Sequence, residues 1–254
     1  MRGARRARRL VAPAVVVGLL TAACDVPTFG APRPVTRQGG HIFSLWQGFF
    51  VAACAVGAFM LALILYTVIR YRARGEEIPD QGSSNRTAEV LYTGTPIAIV
   101  VVLFVLSVGT ERLVTRRSAA PAEVVEVTAF QWGWEFRYPA EGVTVTGAEN
   151  DPVPELVVPV GTTTRLKLEA HDVIHSFFVP EFLEKRDLVP GLHNVLDITP
   201  TRTGVFAGRC AEYCGLDHWR MDFSARVVPE PEFRRWAQQQ AAQQQAAQQP
   251  AARP

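Results

Sequence analysis

The sequence predicts a two-helix transmembrane hairpin followed by an all-β sandwich, and three observations predict it. Two uncharged apolar runs, residues 45–69 and 90–110, lie in the first half of the 254-residue chain. Each is long enough to cross about 30 Å of hydrocarbon. Beyond residue 120 the chain breaks into short β-branched or alternating segments, with Gly and Pro recurring between them at the spacing of turns.

Charge narrows the function classes. A net charge of +2 is too small to argue for nucleic acid. The basic residues are almost all Arg and cluster around the apolar runs, which points to membrane topology.

The elements follow in order. Residues 1–24 read as an export signal, with a basic start at Arg2, Arg5, Arg6, Arg8 and Arg9. The apolar stretch that follows, residues 10–20, is too short to span a bilayer. It ends at Thr21-Ala22-Ala23-Cys24, which resembles a bacterial lipoprotein signal with Cys24 as the lipidated residue. Thr21 stands where such signals prefer Leu, so ordinary cleavage, or an uncleaved anchor with a spare Cys, stays open. Residues 25–44 are then extracytoplasmic, 45–69 enter the membrane, 70–89 form a cytoplasmic loop and 90–112 return. Arg70, Arg72, Arg74 and Arg86 in the loop obey the positive-inside rule, whereas Arg112, Arg116 and Arg117 run against it. Pro96 is expected near the start of the second span, where a missing N–H costs least. This places the sandwich, residues 121–230, outside the cytoplasm. Strands are expected at 124–128, 156–159, 163–169, 195–198 and 223–228. Residues 232–236 suit a short helix. The Gln/Ala-rich tail within 231–254 is expected to fray or stay disordered, for want of apolar residues.

The string that carries chemistry is Cys210-Ala-Glu212-Tyr-Cys214-Gly-Leu-Asp-His218-Trp-Arg-Met221, with His175 upstream. Thiolate, imidazole and thioether together suit copper, the thioether as a weak axial donor. One thiolate suffices for a mononuclear blue-copper site. Two thiolates four residues apart, with two imidazoles, can bridge two copper ions. A Cys210–Cys214 disulfide in an oxidising compartment and a Cys₂His₂ zinc site that leaves Met221 idle are the alternatives. His171 and His193 fit no ligand slot and read as surface histidines, and His41, ahead of the first span, reads as interfacial.

From residue 172 to 221 the ligand order, the ligand spacing and the Val189-Pro190-Gly191 turn resemble subunit II of haem–copper cytochrome c oxidases. The resemblance extends over about residues 40–230 and implies a cupredoxin-like sandwich. It implies that His175, Cys210, Cys214, His218 and Met221 are side-chain ligands of a dinuclear copper A centre. It further implies that Glu212 offers its backbone carbonyl to copper and its carboxylate to a Mg²⁺ at the interface with subunit I. Trp132, in the cluster Phe130-Gln131-Trp132-Gly133-Trp134-Glu135-Phe136, aligns with the tryptophan through which electrons enter from cytochrome c. Strand alternation would put Trp132 and Trp134 on one face; a core or membrane-interface role for both is the alternative. Glu89, seven residues before Pro96, matches an acid near a proton-uptake path in subunit I; a solvated helix start also explains it. Asp172 and Glu149 are acids that suit a basic cytochrome c; a solvated surface explains them as well, Glu149 above all.

The implied function is electron entry into a proton-pumping oxidase of the bacterial plasma membrane. The implied partners are subunit I, other oxidase subunits, a cytochrome c or a complex containing one, and the lipid bilayer. A quinol oxidase subunit II would lack the copper ligands. A copper chaperone or a nitrous-oxide-reductase-like domain would lack the two spans. No C-x-x-C-H motif is present, so no c-type haem is attached to this sequence.

Overall fold

A computed structural model describes residues 27–72, 75, 82, 84–148 and 152–248. The expectations for residues 1–24, Cys24 included, and for Arg74 and Glu149 lie outside these residues. Residues 27–31 belong to a separate small unit; both long helices and the sandwich belong to the unit from Pro32 onward.

Helix α1 (Arg37–Arg70) begins eight residues before the expected span. The Thr36 hydroxyl caps it, accepting from Gly39 N–H at 2.9 Å. Gln38 accepts from Thr199 N–H at 3.0 Å and so pins the first turn to the sandwich. A Cβ on Gly39 would lie 2.6 Å from the Phe182 carbonyl oxygen, so only glycine allows this approach. Residues 37–44, assigned to an extracytoplasmic segment from hydropathy, are therefore helical and docked. Helix α2 (Arg86–Val114) opens on a reciprocal cap. Asn85 Oδ1 accepts from Ala88 N–H at 3.1 Å, and Glu89 Oε1 accepts from Asn85 N–H at 3.3 Å. This cap starts the helix early enough to leave Pro96 in its interior rather than near its start, so the Tyr92 carbonyl loses its helical partner. Both helices are apolar and exposed along the segments that suit a membrane.

Ten strands follow: β1 (Glu123–Phe130), β2 (Gly133–Tyr138), β3 (Val143–Ala148), β4 (Glu155–Pro159) and β5 (Thr164–Ala170). Then come β6 (His175–Val179), β7 (Glu184–Leu188), β8 (Asn194–Ile198), β9 (Gly204–Cys210) and β10 (Asp222–Val228). They form two five-stranded sheets, β3-β2-β1-β5-β8 and β4-β10-β9-β6-β7. Strand β1 alternates buried and half-buried positions along its length, as a sheet with one face on a core requires. Trp134, Phe136, Phe177 and Phe223 meet between the sheets, with Phe177 stacked on Phe223 at 4.8 Å and Trp134 edge-on to Phe223 at 5.0 Å. The Tyr138 hydroxyl accepts from Val157 N–H at 2.8 Å and so links β2 to β4 of the other sheet.

The turn between β1 and β2 corrects the expectation for the tryptophans. Phe130 pairs with Gly133, leaving Gln131 and Trp132 as the two turn residues. Trp132 is half-buried in the turn while Trp134 is fully buried in β2, so the two share no strand face.

The tail is a second correction. Helix α3 (Glu230–Gln248) packs on the sandwich, with Phe233 and Ala237 buried and Trp236 edge-on to Tyr138 at 5.0 Å. Three apolar residues spaced three or four apart suffice to dock it. Gln244 donates to Thr144 O at 2.6 Å and accepts from Thr144 N–H at 3.2 Å. Its amide thereby pairs with edge strand β3 as a further strand would.

Arg234 of α3 lies 2.7 Å from Glu123, 3.2 Å from Glu141 and 2.7 Å from Glu230. Burial, then the neighbouring Glu141 carboxylate, push the Glu123 carboxyl from 4.5 up to about 7, against the pull of Arg234. A raised carboxyl favours the fold fully below its unfolded pKa, and that contribution is lost as pH rises through about 7. The fold around Glu123, docked α3 included, is therefore expected to weaken as pH rises from about 4.5 to about 7. Thermal melts of wild type and Glu123→Gln test this: the wild-type Tm should fall over that interval and the variant's slope should flatten. Parallel slopes would contradict it.

Candidate metal centre

The ends of three strands and one loop build the site. His175 is the first residue of β6 and Cys210 the last of β9, and these strands are neighbours, with Phe177 opposite Cys210. The loop after Cys210 carries Glu212 and Cys214, and a 3-10 turn (His218–Arg220) carries His218. Met221 follows immediately before β10. The Met221 carbonyl accepts from Cys210 N–H at 3.0 Å and from Trp134 Nε1 at 3.3 Å, so the loop is closed at its base.

The donor atoms converge. Cys210 Sγ lies 3.9 Å from Cys214 Sγ, 3.9 Å from His175 Nδ1 and 3.2 Å from the Glu212 carbonyl oxygen. Cys214 Sγ lies 3.6 Å from His218 Nδ1 and 3.8 Å from Met221 Sδ. Among the described residues, His175, Cys210 and Cys214 form the one His/Cys/acid group whose ligand atoms all lie close enough to share an ion. Both cysteines are free and buried, and a sulfur separation of 3.9 Å is far beyond a disulfide. The buried Met221 thioether completes a soft donor set, which suits copper better than a four-coordinate zinc.

Burial alone would raise the Cys210 thiol, but hydrogen bonds from His175 and the surrounding backbone bring it down to about 7. Burial, with Cys210 beside it, pushes Cys214 up to about 12, so a metal ion entering here must displace the Cys214 proton. His175 would be lowered by its burial, yet Cys210 and Asp172 raise it above the ordinary imidazole range.

Asp172, expected only as a docking acid, has a second place in the site. Its Oδ1 is 2.8 Å from His175 Nε2 and accepts from Val173 N–H at 2.6 Å, while Oδ2 accepts from Gln131 N–H at 2.7 Å. Holding Nε2 in this way leaves Nδ1 toward the sulfurs. The sequence reading also missed Lys185. Its ammonium is 3.1 Å from the Glu212 carboxylate and 3.2 Å from Asp187, which in turn accepts from the Ser176 hydroxyl at 2.8 Å. The Glu212 carboxylate is half-exposed and paired with the Lys185 ammonium. Opposite charges two residues apart, Glu184 with Arg186 and Lys185 with Asp187, were a signal of an ion pair on each strand face, but nothing in them pointed to Glu212. Trp132 reaches the site, with Nε1 3.3 Å from Cys214 O. Glu89 does not: it sits at the far end of α2, about 40 Å along the helix from Val114 at 1.5 Å per residue. His171 and His193 are exposed, with His193 paired to Glu169 at 2.6 Å.

Two helices long and apolar enough to cross a membrane, followed by a cupredoxin-like β-sandwich whose strand ends gather two thiols, two imidazoles and a thioether, define a class of protein with a cluster consistent with a copper site. Residues 124–228 match the family model of the periplasmic domain of cytochrome c oxidase subunit II. A probable cytochrome c oxidase subunit 2 of Streptomyces avermitilis is 37% identical, the alignment covering 91% of this chain and 86% of the relative. One from Streptomyces coelicolor is 35% identical, covering 93% and 88%. Among solved structures, the periplasmic domain of subunit II of the Bradyrhizobium japonicum cytochrome oxidase is 31% identical over 50% of this chain and 99% of that one, with a TM-score of 0.45. The chain belongs to the cytochrome c oxidase subunit II family and is thus a haem–copper oxidase component.

Proposed function

We propose that this chain accepts electrons from a c-type cytochrome at a dinuclear copper centre and hands them to haem in subunit I. Oxygen would be reduced to water there, coupled to proton pumping. The observation that carries the reading is the pair of buried sulfurs 3.9 Å apart, with an imidazole flanking each. His175, Cys210, Cys214, His218, Met221 and the Glu212 carbonyl would hold two copper ions. Bound copper would supply a one-electron store shared over both metals.

The protein's own part is to hold these donors in place. The β6–β9 pairing sets His175 against Cys210, Asp172 orients the imidazole, and Trp134 and Cys210 N–H anchor the Met221 backbone. An electron-transfer centre of this kind would need no open position for substrate. Trp132 is the proposed entry point, because its indole N–H contacts the backbone of a ligand cysteine. The Glu212 carboxylate would join a Mg²⁺ only with further oxygen donors from subunit I, and with Lys185 drawn aside. Glu89 caps α2 in this fold; its place in a proton path is part of the same proposal. Two bilayer-length helices support a plasma-membrane location with the sandwich outside, where Cys24 would be lipidated.

Trp132→Ala in the assembled oxidase tests the entry role. Cytochrome c oxidation should slow by about a hundredfold, the scale that misplacing a reacting partner by 1 Å produces, while copper content and spectrum stay as in wild type. An unchanged rate would remove the role.

A further inference from the structure

Two of the protein's hydrogen bonds converge on one carbonyl. Cys214 O accepts from Trp132 Nε1 at 3.3 Å and from Gln131 Nε2 at 2.7 Å, which uses both lone pairs of that oxygen. The shorter of the two bonds belongs to Gln131. Its backbone is fixed as well, since Gln131 N–H donates to Asp172 Oδ2 at 2.7 Å and Asp172 Oδ1 is 2.8 Å from His175 Nε2. The turn residue beside Trp132 thus ties together two groups of the metal cluster: the backbone of Cys214 and, through Asp172, the imidazole of His175.

The third wall is Gly215. Its φ is +123°, a backbone conformation L side chains rarely adopt. A Cβ there would meet Gln131 Nε2 at 3.1 Å and Trp132 Cζ2 at 3.1 Å. The missing side chain makes the slot in which the Gln131 amide and the indole edge lie together against the ligand loop.

We infer that Gln131 is a positioning residue for electron entry: it clamps the ligand loop to the β1–β2 turn and so keeps the Trp132 indole seated on the Cys214 backbone. The inference rests on the proposed entry role of Trp132 and deepens it. Its physical basis is continuity. From the indole N–H one hydrogen bond reaches Cys214 O, and four covalent bonds then lead through C, Cα and Cβ to Sγ. Electron coupling decays far less along bonds than across a gap, so a small displacement of the indole interrupts the route without disturbing the donors. Trp132's own bond, at 3.3 Å, is the longer of the two on this carbonyl, so the 2.7 Å bond from Gln131 carries more of that register. Asp172 and Gly215 contribute through Gln131, the first by fixing its backbone and the second by making room for its amide.

The test uses the assembled oxidase with reduced cytochrome c. Gln131→Leu keeps the approximate bulk and removes the donor. Its kcat should fall about tenfold, the lower end of what losing a partner of a metal ligand produces. KM, salt dependence and copper content should stay as in wild type. Gly215→Ala, which presses on the same slot, should give the same pattern. In the double variant Gln131→Leu/Trp132→Ala the effects should not multiply, because the clamp has nothing left to position. An unchanged kcat in Gln131→Leu, a loss confined to KM, a loss of copper, or multiplying effects would each overturn the inference. Trp132→Ala alone, run beside them, separates the two levels. If it is slow while Gln131→Leu is normal, only the clamp falls; if it is normal, the entry role falls and the clamp with it.

Discussion

Replacing Cys214 with Ser is expected to reduce cytochrome c oxidation by the assembled oxidase to below about 1% of wild type, at the far end of the range for disrupted metal shells. Cys214 Sγ is the centre of the donor set, lying within 4 Å of Cys210 Sγ, His218 Nδ1 and Met221 Sδ. A serine hydroxyl is a hard and scarcely ionised donor that a soft metal does not accept in place of thiolate. The remaining cysteine keeps His175 at 3.9 Å and the Glu212 carbonyl at 3.2 Å. At most one copper per chain should then remain, with a mononuclear spectrum. Copper analysis and turnover on the same preparation check this; near-normal turnover with one sulfur would contradict the role given to the pair.

The largest effect on stability is expected from Trp134→Ala. The side chain is fully buried, packs on Phe223 at 5.0 Å and Phe177 at 6.2 Å, and donates to Met221 O. Truncating a buried Trp costs about 3–5 kcal/mol. For a protein of this size that lowers Tm by about 6–20 °C, at 2–4 °C per kcal/mol. The Met221 carbonyl would also lose one of its two donors, so copper retention should fall together with Tm. Trp132→Ala, in the half-buried turn, should leave Tm nearly unchanged. Thermal melts of the full chain in detergent, with copper measured alongside, check both; equal shifts for the two variants would contradict the division of roles.

That division was not legible in the sequence. Alternation along Phe130-Gln131-Trp132-Gly133-Trp134 suggests one strand with two tryptophans on a face. The chain instead reverses at Gln131 and Trp132, which carry none of the Gly, Asn or Asp that mark a two-residue turn. The donor cluster was legible because metal chemistry restricts residue type: two thiols, two imidazoles and a thioether at those spacings suit a soft metal, and the fold brings His175, Cys210 and Cys214 together. The apolar spans were legible for the same reason, since a bilayer admits little but uncharged side chains. Their ends were not. Thr36 and Gln38 extend α1 through contacts with residues more than 160 positions away, and hydropathy carries no trace of them. Strands β1, β4, β5, β8 and β10 were read from β-branched runs. Strand β7, Glu184-Lys185-Arg186-Asp187-Leu188, shows mostly charge and is held by its pairing with β6. The tail looked too polar to pack because composition averages over it. Phe233, Trp236 and Ala237 are few, but they lie on one face, and Gln244 finds an unpaired strand edge.

Metal analysis combined with electron paramagnetic resonance on the assembled oxidase tests the central claim most directly. Two copper ions per chain at this site, with one unpaired electron delocalised over both, is the expected result. A single copper with a blue mononuclear spectrum, or zinc in its place, would contradict the account.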